Sequence, residues 1–169
     1  HVRRLASEGS RPRLPWGAQL KGLIRDPSPT LPLLRALQDD PSAYVRRSVA
    51  NHLNDIAKDH PQLIVQWLDE YLPGAPPQRR ALLKHACRTL IKQGHPQVLK
   101  AWGLGKPLRG QATLALAPST LAVGETLQLT VELHSSTARV QTLLIDYAVH
   151  HVKASGATTP KVFKGWTLQ

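Results

Sequence analysis

The apolar residues of this chain change their spacing once, near residue 105, and that change divides the chain in two. Before it they recur every three or four positions, the period of a helix face. Beyond Gln111 they alternate, the period of a strand. The clearest helical stretch is 42–58, where Val45, Val49, Leu53 and Ile56 fall at i, i+4, i+8 and i+11 and predict one buried stripe. Asp39, Asp40 and Ser42 stand where capping residues belong, and Pro41 fixes the start. Further helices are expected at roughly 1–10, 16–25, 29–38, 61–72, 77–93 and 96–102, punctuated by prolines. In the second part, 126–133 sets Leu127, Leu129, Val131 and Leu133 on one face, and 142–152 is rich in branched and aromatic residues. The expected fold class is mainly α with a β tail, in two domains, 1–105 and 111–169. Gly103 and Gly105 in the linker suit a hinge better than a phosphate loop.

The charge divides at the same place. The 169 residues hold 22 Lys and Arg against 11 Asp and Glu, a net +11, of which residues 1–110 carry +10 and residues 111–169 only +1. A surplus of that sign, gathered in the helical part, points to a polyanion and foremost to nucleic acid. Cys87 stands alone, which excludes a disulfide framework, and no Cys/His spacing fits structural zinc. Cys87 itself is expected as a buried small hydrophobe. No run approaches the ~18 apolar residues of a membrane span, and the start carries no signal-peptide pattern. The expected setting is cytoplasmic. An opening on His1 and the absence of methionine read as a piece of a longer protein.

The helical part repeats itself. Val2-Arg3-Arg4 returns as Val45-Arg46-Arg47, Val49 and Leu53 find counterparts in Ala86 and Leu90, and His-Pro closes two units at residues 60–61 and 95–96. A period near 40 built of paired helices predicts a HEAT-like α-solenoid. Aligned repeats place Arg47, Asn51, Asp55 and Lys58 on a stripe apart from the buried one, beside Lys84, Arg88 and Lys92 in the next repeat and Arg4, Glu8 and Arg11 in the first. Stacked, these stripes predict one continuous polar surface, mostly basic. As solvated faces they would contribute only a few tenths of a kcal/mol per ion pair. As a phosphate track of six contacts they would lose roughly 10³-fold in affinity between 50 and 200 mM salt.

Most catalytic schemes are missing from the sequence: no GxSxG, no SxxK, no HExxH, and His150-His151 stand in a strand where neighbours point to opposite faces. No metal and no organic cofactor is expected. What remains is Glu8 framed by Arg4 and Arg11, followed by Arg11-Pro12-Arg13-Leu14-Pro15-Trp16, a loop stiffened by two prolines. The arginines favour the ionised form of Glu8. A carboxylate facing phosphates is unfavourable unless the target is itself cationic. Trp16 is either a hydrophobic staple between helices or a ring presented to a ligand.

The runs 2–9 and 11–16, Val45-Arg46-Arg47-Ser48-Val49-Ala50-Asn51-His52-Leu53-Asn54-Asp55-Ile56 through Pro61, 88–96, and Asp146-Tyr147 through Val162-Phe163-Lys164 resemble the AlkC-type DNA alkylation repair glycosylases. The resemblance covers essentially the whole chain. It implies an Ig-like antiparallel β-sandwich after the solenoid. At about 59 residues this part is short of the ~100 a full sandwich uses, hence incomplete. It also implies a monofunctional glycosylase acting on cationic N3-alkylated bases such as 3-methyladenine and 3-methylcytosine in duplex DNA, without flipping the base. By the family motif Glu8 and Trp16 fall at the lesion, with Arg4 and Arg11 beside them, and Asp55 matches the acidic position in the second repeat; Glu8, Trp16 and Asp55 are the expected catalytic residues. The resemblance also implies a longer N-terminal part, whose further repeats contribute another active-site carboxylate that this chain lacks.

The remaining expected DNA contacts are Lys153, Lys161 and Lys164 in the strand part, though lysines at a sheet edge also serve as edge protectors. A monomer is expected. Two other functions stay open on the sequence: a duplex-binding repeat module without chemistry, and a repeat scaffold for an acidic protein partner.

Overall fold

A computed structural model describes residues 1–168; Gln169 and the side chain of Lys164, one of the expected DNA contacts, lie outside the described residues. The chain forms two compact units, His1–Gly105 and the strands from Lys106 onward. The first unit contains α1 (Val2–Gly9), α2 (Lys21–Arg25), a 3-10 turn (Ser28–Thr30), α3 (Leu31–Leu37), α4 (Ala43–Ala57), α5 (Pro61–Tyr71), α6 (Pro77–Ala86), α7 (Arg88–Lys92) and α8 (Pro96–Ala101).

These helices pack as pairs in two layers. In one layer α1, α4 and α6 lie side by side; in the other α3 and α5 cover α4, and α5 meets α8. Arg4 stacks on Tyr44 and Glu8 meets Ser48, so contacts advance together along α1 and α4, and the two helices run parallel. Val45, Val49, Leu53 and Ile56 are buried as the spacing predicts, packed with Leu34, Ile64, Leu68, Leu83 and Val98. Burial on α4 goes further than one stripe: Ser48, His52, Asn54 and Asp55 are buried as well. A helix flanked on both sides within its layer and covered by a second layer has three closed faces, which no amphipathic pattern of one helix announces.

Three local expectations are corrected. The helix expected over 16–25 forms only as α2, because Pro12 is buried and the chain behind it turns at residues 14–17. The helix expected over 77–93 breaks at Cys87 (φ −87°, ψ −1°), where the Thr89 amide donates to Asn54 Oδ1 at 3.2 Å and the His85 carbonyl accepts from Arg88 Nη1 at 2.8 Å. Ser42 makes no side-chain cap on α4. Asp40 Oδ1 accepts instead from the Ser42 amide at 2.9 Å, while Asp39 pairs with Arg79. Arg3 also reaches Asp40, and Arg46 Nη1 donates to the Asp40 and Pro41 carbonyls, so this junction ties α1, α4 and α6 together.

The second unit holds β1 (Gly110–Ala117), β2 (Gln128–Ser135), β3 (Leu143–Val152) and β4 (Thr158–Leu168) as two antiparallel two-stranded sheets, β1–β2 and β3–β4. Leu129, Val131 and Leu133 are half-buried between exposed neighbours, the alternation read from the sequence. The β3–β4 register shifts at Ile145/Asp146. There Gly165 lies so close to β3 that a Cβ would stand 2.4 Å from the Ile145 carbonyl oxygen, which explains a glycine inside a strand. Tyr147 stacks on Phe163 with ring centroids 5.4 Å apart.

Candidate functional site

The site begins where α1 ends. Glu8 accepts from Arg11 Nη1 on Oε1 at 2.5 Å and from Ser48 on Oε2 at 2.6 Å, with Arg4 Nη2 3.6 Å from Oε2. Burial raises its carboxyl pKa, the largest single effect. The Ser48 and Arg11 hydrogen bonds and the charges of Arg11 and Arg4 together outweigh it, and the net direction is down. The side chain keeps 17% of its surface exposed. Glu8 is thus an ionised carboxylate, held at both oxygens in a side chain that stays partly exposed.

Arg11 and Asp55 stand behind it. Asp55, with a side chain only 2% exposed, accepts from Arg11 Nε at 2.8 Å and from Lys58 Nζ at 3.1 Å. This corrects the expectation that Asp55 and Arg11 lie on an open polar stripe: α4 turns Asp55 toward the α1 side, and Arg11 follows it inward. Burial disfavours the Arg11 cation, but hydrogen bonds and charge from Asp55 and Glu8 prevail and raise its pKa. Arg11 is an internal counter-ion shared by two carboxylates rather than a cation offered to phosphate. Removing either partner of such a buried pair is far costlier than the pair itself is stabilising.

The loop after Arg11 is pinned at its base and displayed at its tip. Arg13 forms a bidentate pair with Asp59, both bonds 2.7 Å, and the Leu20 amide donates to the Pro12 carbonyl at 3.0 Å. Between these anchors the Gly17 amide donates to the Leu14 carbonyl, with Pro15 and Trp16 at the central positions. Trp16 has φ 61°. A proline followed by a positive φ is the type II pattern, in which glycine is normal at the third position. Here the position carries an indole that is fully exposed. The staple reading is therefore excluded: the ring packs on nothing within the chain, and the backbone accepts strain to present it.

Several of the other expected cations are held as well. Arg47 Nη1 donates to His85 Nδ1 at 2.9 Å, and His85 Nε2–H donates to Asn51 Oδ1 at 2.9 Å. Burial, then the charges of Arg88 and Arg47, push the His85 pKa down to about 4, so this histidine is a neutral spacer. Lys84 Nζ sits 4.6 Å from the Trp102 ring centroid, with Arg80 over the same ring. Lys58 and Lys92 are exposed, and Arg88 is half-buried. In the strand unit Lys153 is exposed at the β3–β4 turn, and Lys161 lies over the Phe163 ring at 5.1 Å. Among the described residues no three of His, Cys, Asp or Glu gather as metal ligands, and no helix is long and apolar enough to cross a membrane. Cys87 is buried, its thiol pushed up to about 12 by burial.

Four residues of this site escape the sequence reading: Tyr44 and Ser48, which meet Arg4 and Glu8, and Ser7 and His52 behind them, with His52 Nδ1 2.9 Å from the Ser7 carbonyl oxygen. Ser48 carried a signal, since it lies seven positions before Asp55 on the same helix face. Arg13–Asp59, which spans 46 positions, had none.

Fold and site together define a class: a paired-helix array with a boxed carboxylate and a displayed tryptophan, followed by an antiparallel strand unit. Residues 111–169 match the family model described as "Uncharacterised protein YhaZ, C-terminal Ig-like domain". The chain is 47% identical over 165 residues to the Bacillus subtilis (strain 168) "Uncharacterized protein YhaZ", covering 97% of this chain and 45% of that protein. The solved structure of Pseudomonas fluorescens alkylpurine DNA glycosylase AlkC, bound to DNA containing an abasic site analog, is 42% identical with a TM-score of 0.94, covering 99% of this chain and 47% of that one. The resemblance to AlkC-type proteins carried by the quoted runs is borne out in sequence and in fold. The chain spans a little under half the length of these relatives.

Proposed function

We propose that this chain is the part of a DNA repair glycosylase that carries its lesion-facing carboxylate, and that the substrate is a cationic N3-alkylated base, 3-methyladenine or 3-methylcytosine, in duplex DNA. The observation that carries this reading is Glu8: ionised, held through both oxygens, and partly exposed amid a surplus of cations. The AlkC likeness, at 42% identity across nearly the whole chain, supports it.

The chemistry suits that geometry. A base alkylated at N3 already bears a positive charge and departs without a general acid. The remaining task is to stabilise the oxocarbenium-like sugar and to place a water, which a preorganised carboxylate does. Trp16 stacks on the cationic base or its sugar, for roughly 0.5–2 kcal/mol. Leaving the base in the helix avoids a flipping cost of a few kcal/mol. Asp55 acts through Arg11 and Lys58, holding the box shut. Arg4, Arg47, Asn51, Lys58, Lys84, Arg88 and Lys92 line the duplex, and Lys153 and Lys161 are the DNA contacts of the strand unit. The protein works as a monomer in the bacterial cytosol, with no cofactor.

The test is base release from duplex DNA carrying 3-methyladenine, by the full-length protein. Glu8→Gln lowers release by at least about tenfold while the duplex Kd stays within a factor of about two. Equal loss of release and binding overturns the catalytic role of Glu8. Salt-sensitive duplex binding with no release by the wild-type protein leaves a binding module.

A further inference from the structure

We infer that Ser48 is a positioning residue for the Glu8 carboxylate, and that the Ser7 hydroxyl behind it donates to Ser48 and so backs that hydrogen bond. The inference rests on the reading of Glu8 as the reacting carboxylate.

A hydroxyl has one proton and two lone pairs. Ser48 Oγ lies 2.6 Å from Glu8 Oε2 and 3.2 Å from Ser7 Oγ. The carboxylate is ionised and only accepts, so the Ser48 proton is committed to Glu8. Ser48 Oγ then accepts from Ser7, whose own proton completes the line. Both serines are buried, so water does not reach either hydroxyl. The order Ser7, Ser48, Glu8 follows from counting protons.

The backbone is seated from the same side. His52 Nδ1 lies 2.9 Å from the Ser7 carbonyl oxygen. A carbonyl only accepts, so the ring proton is on Nδ1 and Nε2 carries a lone pair. That Nε2 is buried with no partner among the described residues. Burial lowers the His52 pKa and keeps the ring neutral, in keeping with this tautomer. Ser48, His52 and Asp55 stand at i, i+4 and i+7 of α4, one face of one helix. From that face Ser48 holds the carboxylate, His52 holds the peptide one residue earlier, and Asp55 holds Arg11, which clamps the other carboxylate oxygen.

Arg11 alone would leave Glu8 able to turn about its terminal bond. With Ser48 on Oε2 and Arg11 on Oε1 the plane of the carboxylate is set. The same hydrogen bond makes protonation harder. Ser48 therefore governs both the aim of Glu8 and the lower end of its working pH range.

The experiment uses the full-length protein with glutamate-selective 13C labelling, the Glu8 signal being assigned with Glu8→Gln. Ser48→Ala is expected to raise the Glu8 pKa by about one unit, the order of a hydrogen bond to a charged group. The acid limb of single-turnover base release should rise by the same amount, with duplex Kd unchanged. Ser48→Thr keeps the hydroxyl and restores both readouts. Ser7→Ala moves them the same way by less, since it acts only through Ser48, and it serves if Ser48→Ala does not fold. An unmoved Glu8 titration in Ser48→Ala overturns the inference, and so does an equal shift in Ser48→Ala and Ser48→Thr. A shifted titration in a wild-type protein that releases no base upholds Ser48 as the holder of Glu8 and overturns the glycosylase reading instead.

Discussion

The two units meet water in opposite ways. The apolar core of the helical unit runs from Leu34 to Val98 and is closed, whereas no described residue of the strand unit is buried. Leu114 and Leu116 on β1 face solvent, and the side chains of β2 that turn inward are only half-covered. The helical unit also carries nearly all the surplus charge. Packing and electrostatics are linked here: a unit with a closed core can hold Arg11 and Asp55 out of water and still fold. A unit without one presents its cations on the surface, as with Lys153 and the ring-bound Lys161.

That contrast can be broken at its strongest point first. Arg11→Met leaves Glu8 and Asp55 facing each other without their shared cation. It should destabilise the helical unit by about 3–5 kcal/mol. Urea unfolding followed at the helical circular-dichroism band measures this, and a loss under 1 kcal/mol would mean that water reaches the pair. Next in size is the matched pair Leu53→Ala and Leu114→Ala. The first opens a cavity in the core and should cost about 2–4 kcal/mol. The second sits on an exposed strand and should stay within about 0.5 kcal/mol. Equal losses in the two would show that β1 is covered in solution. The smallest effect has the opposite sign. Trp16→Gly relieves the positive φ and should raise Tm by roughly 2–5 °C, while duplex affinity falls. A Tm that drops instead would show the indole packing in solution.

The same division sets what was legible in the sequence. Helix periods follow from local geometry, and α1, α4, α5 and α8 stand close to where the spacing puts them. The break at Cys87 depends on Asn54 capturing the Thr89 amide from 35 positions away, and no local pattern reports that. Glu8 beside Arg4 and Arg11 could be read, because those residues are neighbours in the chain. That Asp55 is buried could not, since it depends on α1 and α6 closing both sides of α4. Trp16 was visible as a ring after two prolines. Its exposure was not, because it comes from the Arg13–Asp59 clamp and the turn that the clamp supports.

The displayed indole has an optical consequence. Trp67 is sealed in the core, Trp102 lies beneath Arg80 and Lys84, and Trp166 on β4 is 47% exposed, whereas Trp16 alone of the four stands wholly in water. Its emission is that of a hydrated ring, open to collisional quenchers that do not reach Trp67. Any ligand that stacks on it must shift that emission and shield it from quenching. The molecule therefore carries its own fluorescent reporter at the tip of the loop, and occupancy of the site can be followed in real time without a label.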